Sequence, residues 1–242
     1  MDYTIYTLAN GLQGVHLPTQ SAIARCALLV GAGSAHETGM KHGVAHFNEH
    51  IAFKGTQKRS ARQIINRLEL VGGDLNAYTA RETTAYQAAV QARYFSRAVN
   101  LLADVVFHAS LPADEIERER KVILDEYHAA MDAPEEAIMD EFEARAFPGQ
   151  ALGRNILGSP QSIRSIQAHD LQAFRKRYYH PANMVFASAG PFPAAKVKQL
   201  ANRMMGHIPG TGQPQPQLPP PRYVPFRHET ARESYQTQIG RA

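Results

Sequence analysis

The stretch GVAHFNEHIAFKGT, residues 43–56, is the part of this sequence on which the fold assignment depends. It holds His46 and His50 four residues apart, with Glu49 directly before the second histidine. An α-helix turns by about 100° per residue, so these three side chains fall on one helical face. The pattern therefore predicts a helix that presents two imidazoles and a carboxylate together.

This residue set suits metal chemistry. Two imidazoles on successive turns can bind one Zn²⁺, and a carboxylate that does not ligate the ion can accept a proton from a water molecule. The order HxxEH reverses the commoner HExxH and is typical of inverted zincins. The alternative is a helix with two solvated or core histidines and a surface glutamate. His36, Glu37 and His42 in the preceding loop are further candidate ligands, and the alternative is that they support the ligands or have no part in the site.

A third ligand is expected on a later helix, which Pro112 begins and which runs to about Ala130. Glu119 and Glu126 are seven residues apart on it, almost two turns, and share a face. Acidic residues also favour the first turn of a helix and solvate a surface face, so this run is equally typical of an ordinary exposed helix. The spacing leaves both glutamates open as ligands.

Composition indicates a globular chain. Of its 242 residues 44% are hydrophobic and 20% charged, and the net charge of +4 arises from 26 basic and 22 acidic residues that are well mixed. This pattern does not indicate a nucleic-acid surface. The single Cys26 excludes a disulfide within the chain and offers no thiolate zinc site. No run approaches the ~18 to 20 apolar residues of a membrane span.

Hydrophobic periodicity and turn residues predict an α+β fold, with a mixed, mostly antiparallel sheet packed against several helices. The strongest hairpin signal is Asn10-Gly11. Ser60 and Gln63 form a capping box that opens another helix. The predicted strands are Tyr3–Leu8, Gly14–Leu17, Ala22–Val30, Asp74–Thr79, Thr83–Val90 and Met184–Ala189. The remaining predicted helices end at Leu70 or cover Tyr94–His108, Glu135–Ala146, Ala168–Tyr179 and Pro193–Met205.

Four segments resemble one family, the pitrilysin, insulinase and mitochondrial-processing-peptidase zinc peptidases. They are HFNEHIAFKGT at 46–56, GGDLNAYTARETTAY at 72–86, ERERKVILDEY at 117–127 and ALGRNILG at 151–158. The resemblance extends from Tyr3 to Met205 and is closest to the small bacterial members and the processing-peptidase β-subunit. It implies the same α+β fold and a zinc-dependent endopeptidase.

The resemblance also implies roles for individual residues. His46, His50 and Glu126 correspond to the ligands of one Zn²⁺ per chain, and Glu49 to the general base. Glu119 matches a second family glutamate that supports the catalytic site.

Substrate-binding residues follow from the same resemblance. Asn76 and Ala77, on an edge strand, are expected to pair with the substrate backbone by strand addition. Glu136 and Asp140, four residues apart on a helix, are expected to help recognise a basic side chain near the cleaved bond. A solvated acidic face is the alternative for these two. Asn48 departs from the family, which usually has a large apolar residue there.

The resemblance divides the chain into a catalytic domain at 1–208, a Pro-rich linker at 209–226 and, at 227–242, the start of a second homologous domain. A predicted strand covers Glu233–Ile239. The expected partners are a peptide substrate and a homologous C-terminal half, or partner subunit, that closes a chamber. Neither nucleic acid nor a membrane is expected. The expected location is the cytoplasm, or the periplasm if a signal peptide has been removed.

Two other functions compete with the peptidase. One is a non-catalytic scaffold or assembly subunit of the same fold. The other is a structural zinc site, which the His and Glu donors disfavour because structural sites are typically rich in cysteine and closed.

Overall fold

The computed structural model describes residues 2–210 and 218–229. Its centre is a six-stranded sheet with the order β1-β2-β6-β3-β5-β4. The strands are β1 Thr4–Thr7, β2 Gln13–Pro18, β3 Ile23–Val30, β4 Asp74–Thr79, β5 Thr84–Gln91 and β6 Met184–Gly190. Only β2 and β6 pair in parallel, and the other four neighbouring pairs are antiparallel. The predicted α+β class with a mixed, mostly antiparallel sheet is confirmed.

Eight α-helices lie within the described part of the chain. They are α1 Val44–Ala52, α2 Ala61–Glu69, α3 Phe95–Phe107, α4 Ala113–Asp132, α5 Pro134–Ala146, α6 Pro160–Ser165, α7 Ala168–Tyr178 and α8 Ala194–Met205. Pro112 is the N-cap residue of α4 and not its first helical residue. The sequence analysis did not predict α6, since six residues are too few to show a helical period.

The sheet buries one face under helices. Leu28, Tyr86 and Phe186 are fully buried on this face, and α3 packs against β3 and β5. Side chains alternate along a strand, so the intervening residues point to the other face. That face carries the half-buried Ala27 and Ala187 and a concavity of about 510 Å³. The core therefore lies on the helical side.

The site region lies at the β4 end of the sheet. β4 is an edge strand that pairs only with β5 among the described strands, and α1 packs beside it. α4 crosses α1, and α5 follows α4 after a break at Ala133. This arrangement brings the HxxEH helix, an open sheet edge and the acidic helices together.

The capping box predicted at Ser60 is present and opens α2. Ser60 Oγ accepts a hydrogen bond from the Gln63 amide, and Gln63 Oε1 accepts one from the Ser60 amide. We expect Ser60→Ala to lower the free energy of unfolding by about 1 kcal/mol, because an orphan helical N–H loses its partner. Urea denaturation measures this loss. Ser96→Ala, at an exposed position in α3, is the control, and an equal loss in both variants would contradict the capping role.

Candidate active site

The first turn of α1 is held by a buried carboxylate in the loop before it. Glu37 is 1% exposed and accepts hydrogen bonds from the backbone amides of Gly43 and Ala45 at 3.0 and 2.9 Å. Gly43 has φ 90°, and a Cβ there would meet the Leu157 carbonyl oxygen at 2.4 Å. Glu37 therefore caps the HxxEH helix and is not a metal ligand. Its loop position alone did not reveal this role.

His46, His50 and Glu126 converge in the structure. Their candidate ligand atoms all lie within 4.8 Å of one another. His46 Nε2 is 3.7 Å from Glu126 Oε1, and His50 Nε2 is 3.3 Å from Glu126 Oε2. In residues 2–210 and 218–229 no other three His, Cys, Asp or Glu side chains meet in this way. The structure thus brings together the three ligands that the family resemblance implies.

Glu119 lies on the other side of His50. Its buried carboxylate accepts a hydrogen bond from His50 Nδ1 at 3.2 Å and one from Lys54 Nζ at 2.7 Å. These contacts hold the His50 ring with Nε2 facing Glu126. Of the two glutamates that the sequence spacing left open, Glu126 joins the histidine cluster and Glu119 contacts the other side of the His50 ring.

The electrostatics of the cluster favour a bound cation. Burial and the neighbouring His50 lower the pKa of His46 to about 4, which keeps this imidazole neutral and able to ligate. Burial would lower the pKa of His50, but hydrogen bonds with Glu119 and Glu126 outweigh it and raise the pKa to about 9. Glu119 and Glu126 therefore flank the His50 imidazole, and their negative charges favour a cation at this point. Two nitrogen donors and one carboxylate fit Zn²⁺ with a further open position.

Glu49 lies beside the cluster and not within it. Thr79 Oγ1, at the end of β4, donates a 2.5 Å hydrogen bond to Glu49 Oε2. Burial raises the pKa of Glu49, against the opposing effect of the Thr79 hydrogen bond. A raised pKa makes this carboxylate a stronger proton acceptor, as a general base requires. The sequence analysis missed Thr79, whose only signal was its place in the quoted segment 72–86.

Asn76 and Ala77 lie on the open edge between two clefts. Clefts of about 770 and 440 Å³ both contact Glu49 and Ala77. The Ala77 amide donates to the side-chain oxygen of Asn76 at 2.8 Å. An unpaired edge can accept another strand, and here a side chain of the strand itself meets one of the free amides. The edge position predicted for this strand is confirmed.

Glu136 and Asp140 line the larger cleft, on the α5 side. Asp140 is already engaged, because it accepts a 2.6 Å hydrogen bond from Asn155 Nδ2 and lies 3.7 Å from the Arg81 guanidinium. Arg81 also forms an ion pair with Glu143. The structure therefore places Arg81, an arginine of the same chain, in the acidic wall. Glu136 remains exposed to the cleft. The sequence analysis did not single out Arg81.

Asn48 points away from the cluster. It is fully buried, and its Nδ2 donates to the carbonyls of Val44 and Leu171 at 3.0 and 3.3 Å. The residue that departs from the family pattern therefore links α1 to α7. Asn48 therefore does not disturb the cluster of His46, His50 and Glu126.

Comparison with known proteins gives the family. Residues 16–160 match the family model described as Insulinase (Peptidase family M16), and residues 165–238 match the model described as Peptidase M16 inactive domain. The chain belongs to the M16 peptidase family. β6, which lies within the second match, sits between β2 and β3 of the one sheet.

Relatives in several organisms support this membership. The bovine mitochondrial-processing peptidase subunit beta is 38% identical over 218 residues, which are 90% of this chain and 44% of that protein. An uncharacterized zinc protease of Mycobacterium tuberculosis is 42% identical over 186 residues, 76% of this chain and 42% of that one. A solved protease from Helicobacter pylori superposes with a TM-score of 0.83 at 25% identity, over 91% of this chain and 53% of its own. The chain thus spans about half the length of the relatives that it matches.

We expect Glu119→Gln to weaken zinc binding by about 10- to 100-fold, because the partner of His50 Nδ1 loses its charge. Competition with a chromophoric chelator measures the affinity. Asp125→Asn is the matched control, since Asp125 is an exposed carboxylate on the same helix, next to Glu126. Equal affinities in both variants and the wild type would contradict the role given to Glu119.

Proposed function

We propose that this chain is the catalytic half of a zinc metalloendopeptidase that hydrolyses peptides or unfolded segments. The observation that carries the proposal is the convergence of His46, His50 and Glu126, with Glu49 beside them and outside the ligand set. Three ligands and a separate base are the parts that a hydrolytic zinc site requires. Membership of a peptidase family supports the same reaction.

Each residue of the site has a separate role in the proposed hydrolysis. His46, His50 and Glu126 would hold one Zn²⁺, and Glu119 keeps His50 in place. When bound, the ion would polarise the scissile carbonyl and make a water molecule acidic enough to lose a proton near neutral pH. Glu49 accepts that proton and passes it to the leaving amine. Thr79 orients the Glu49 carboxylate throughout.

An extended substrate fits the open edge of β4. The Ala77 amide is held by the Asn76 side chain, which a substrate carbonyl can replace as acceptor. Backbone pairing along β4 would place the scissile bond next to Glu49, which lines both clefts together with Ala77. Strand addition requires a substrate without its own fixed structure, hence the proposed preference for peptides and unfolded segments.

We further propose a preference for Arg or Lys near the cleaved bond. Glu136 is exposed in the larger cleft, and Asp140 lies on the same face one turn later. The Arg81 guanidinium supports this proposal, because it lies against the same wall and pairs there with Glu143. Asp140 already contacts Asn155 and Arg81, so Glu136 is the carboxylate that would bind a substrate guanidinium through a charge-assisted hydrogen bond.

A second half is the proposed partner. All three relatives described above are longer chains, and one is named as a subunit. The larger cleft opens to solvent, so a homologous half or a partner subunit would supply a further wall and close a chamber. The division at 208, the linker and the second domain stay predictions, and so does a cytoplasmic or periplasmic location. Among the described helices none is long and apolar enough to cross a membrane.

We expect Glu49→Gln to retain zinc and to lose peptide cleavage by a factor of about 10² to 10⁴, because the amide cannot accept a proton. Native mass spectrometry reports the metal, with about one zinc per chain expected in both forms, and a quenched fluorescent peptide reports cleavage. His50→Ala is the contrasting variant and should lose zinc as well as activity. A zinc-loaded wild type that cleaves no peptide, even with a second M16 half supplied, would instead favour a scaffold role.

We expect Glu136→Gln to reduce cleavage of an arginine-containing peptide by about 10-fold, because an ionic hydrogen bond is lost. The paired norleucine peptide should be cleaved at the wild-type rate. Asp132→Asn, an exposed carboxylate at the end of α4, is the control. Equal cleavage of the two peptides by the wild type would contradict the basic preference.

A further inference from the structure

Residues 218–229 are called the strap below. Residues 222–228 of the strap lie along the end of α5, although the sequence is typical of an extended linker. The Val224 amide donates to the carbonyl of Ala146, the last residue of α5, at 2.9 Å. Just beyond the helix, the Gln150 side chain donates to the Arg222 carbonyl at 2.6 Å and accepts from the Arg222 amide at 2.7 Å. The strap therefore meets a helical carbonyl that the helix itself leaves without a partner.

Aromatic rings extend this contact along the helix. Phe226 packs on Phe142 of α5 with ring centroids 5.5 Å apart. Tyr223 meets Phe147 edge to face at 6.3 Å. The strap runs antiparallel to α5, because its later residue contacts the earlier helical one.

Polar contacts continue in the same direction. His228 Nε2 lies 2.9 Å from Glu141 Oε1 and 3.0 Å from the Arg145 guanidinium. Arg145 and Glu141 form an ion pair one turn apart on the helix. The strap thus contacts α5 through backbone, ring and polar groups over its last two turns.

The other side of α5 forms the acidic wall of the site cleft, which includes Glu136, Asp140 and Glu143. Only Ala137 and Ala146 of this helix are buried. A helix with so little buried apolar surface gains little of its stability from the core. Its position therefore depends on contacts at its surface, which are made by α4, the turn at Ala151–Gly153, the strap and Arg81.

We infer that the strap is a positioning element for substrate selection. It holds α5 so that Glu136 and Asp140 face the cleft at a fixed place relative to Glu49. The inference rests on the proposed function, because it gives the strap a role in the proposed recognition of a basic side chain. It also means that the segment leaving this domain is in contact with the helix that selects the substrate.

Hydrogen–deuterium exchange of the full, zinc-loaded chain tests the contact directly. We expect Phe226→Ala to raise amide exchange in α5 by about fivefold, the effect of losing one aromatic pair, and to leave α1 and the zinc content unchanged. Phe226→Leu should restore most of the protection. Arg227→Ala is the matched control, because Arg227 pairs with Glu229 inside the strap. Unchanged α5 exchange in Phe226→Ala would overturn the inference.

Selectivity is the second readout. Phe226→Ala should reduce kcat/KM for the arginine peptide by about fivefold relative to the norleucine peptide, mainly through KM, since α5 moves while the zinc ligands do not. An equal fall for both peptides would indicate a merely structural role and overturn the inference. A wild type without a basic preference would refute the proposed specificity itself, and the exchange data would still decide whether the strap positions α5.

Discussion

The site depends on two buried carboxylates that fix α1 at its two ends. Glu37 accepts the backbone amides of the first turn, and Glu119 accepts His50 and Lys54 near the last turn. A buried carboxylate costs several kcal/mol unless charged or polar groups pair with it. A rotation or shift of α1 would therefore separate one of these buried carboxylates from its partners. The orientation of His46 and His50 follows from that constraint.

Two features near α1 are unusual in a folded protein: the open edge of β4 and the acidic wall of the larger cleft. An open edge strand normally invites unwanted pairing, yet β4 lies exposed beside Glu49 with only the Asn76 side chain on the Ala77 amide. The carboxylates of the acidic wall repel one another, and the Arg81 guanidinium of the same chain reduces this repulsion by pairing with Glu143. The open edge suits the proposed pairing with an extended chain, and the exposed Glu136 suits the proposed basic side chain.

Local signals predicted the elements well. The Asn10-Gly11 turn, the Ser60 capping box and the separate helices predicted to about Ala130 and from Glu135 mark boundaries that the structure reproduces within a few residues. These signals work because a turn or cap is decided by hydrogen bonds among neighbours in the chain. α6 escaped prediction because it is short and is held by distant groups, since Arg120 donates to the carbonyls of Ile163 and Ile166.

By itself the sequence determined that His46, Glu49 and His50 share a face, since that follows from the period of one helix. Family resemblance added Glu126, whereas the seven-residue spacing in α4 allowed Glu119 equally. The packing of α4 on α1 gives the physical reason for the difference, because it places Glu126 in the cluster and Glu119 behind His50. The roles of Glu37, Thr79, Arg81 and the strap likewise emerged from the tertiary structure. Their partners lie elsewhere in the chain, and such contacts are decided by how whole elements pack, which no local pattern of residues records.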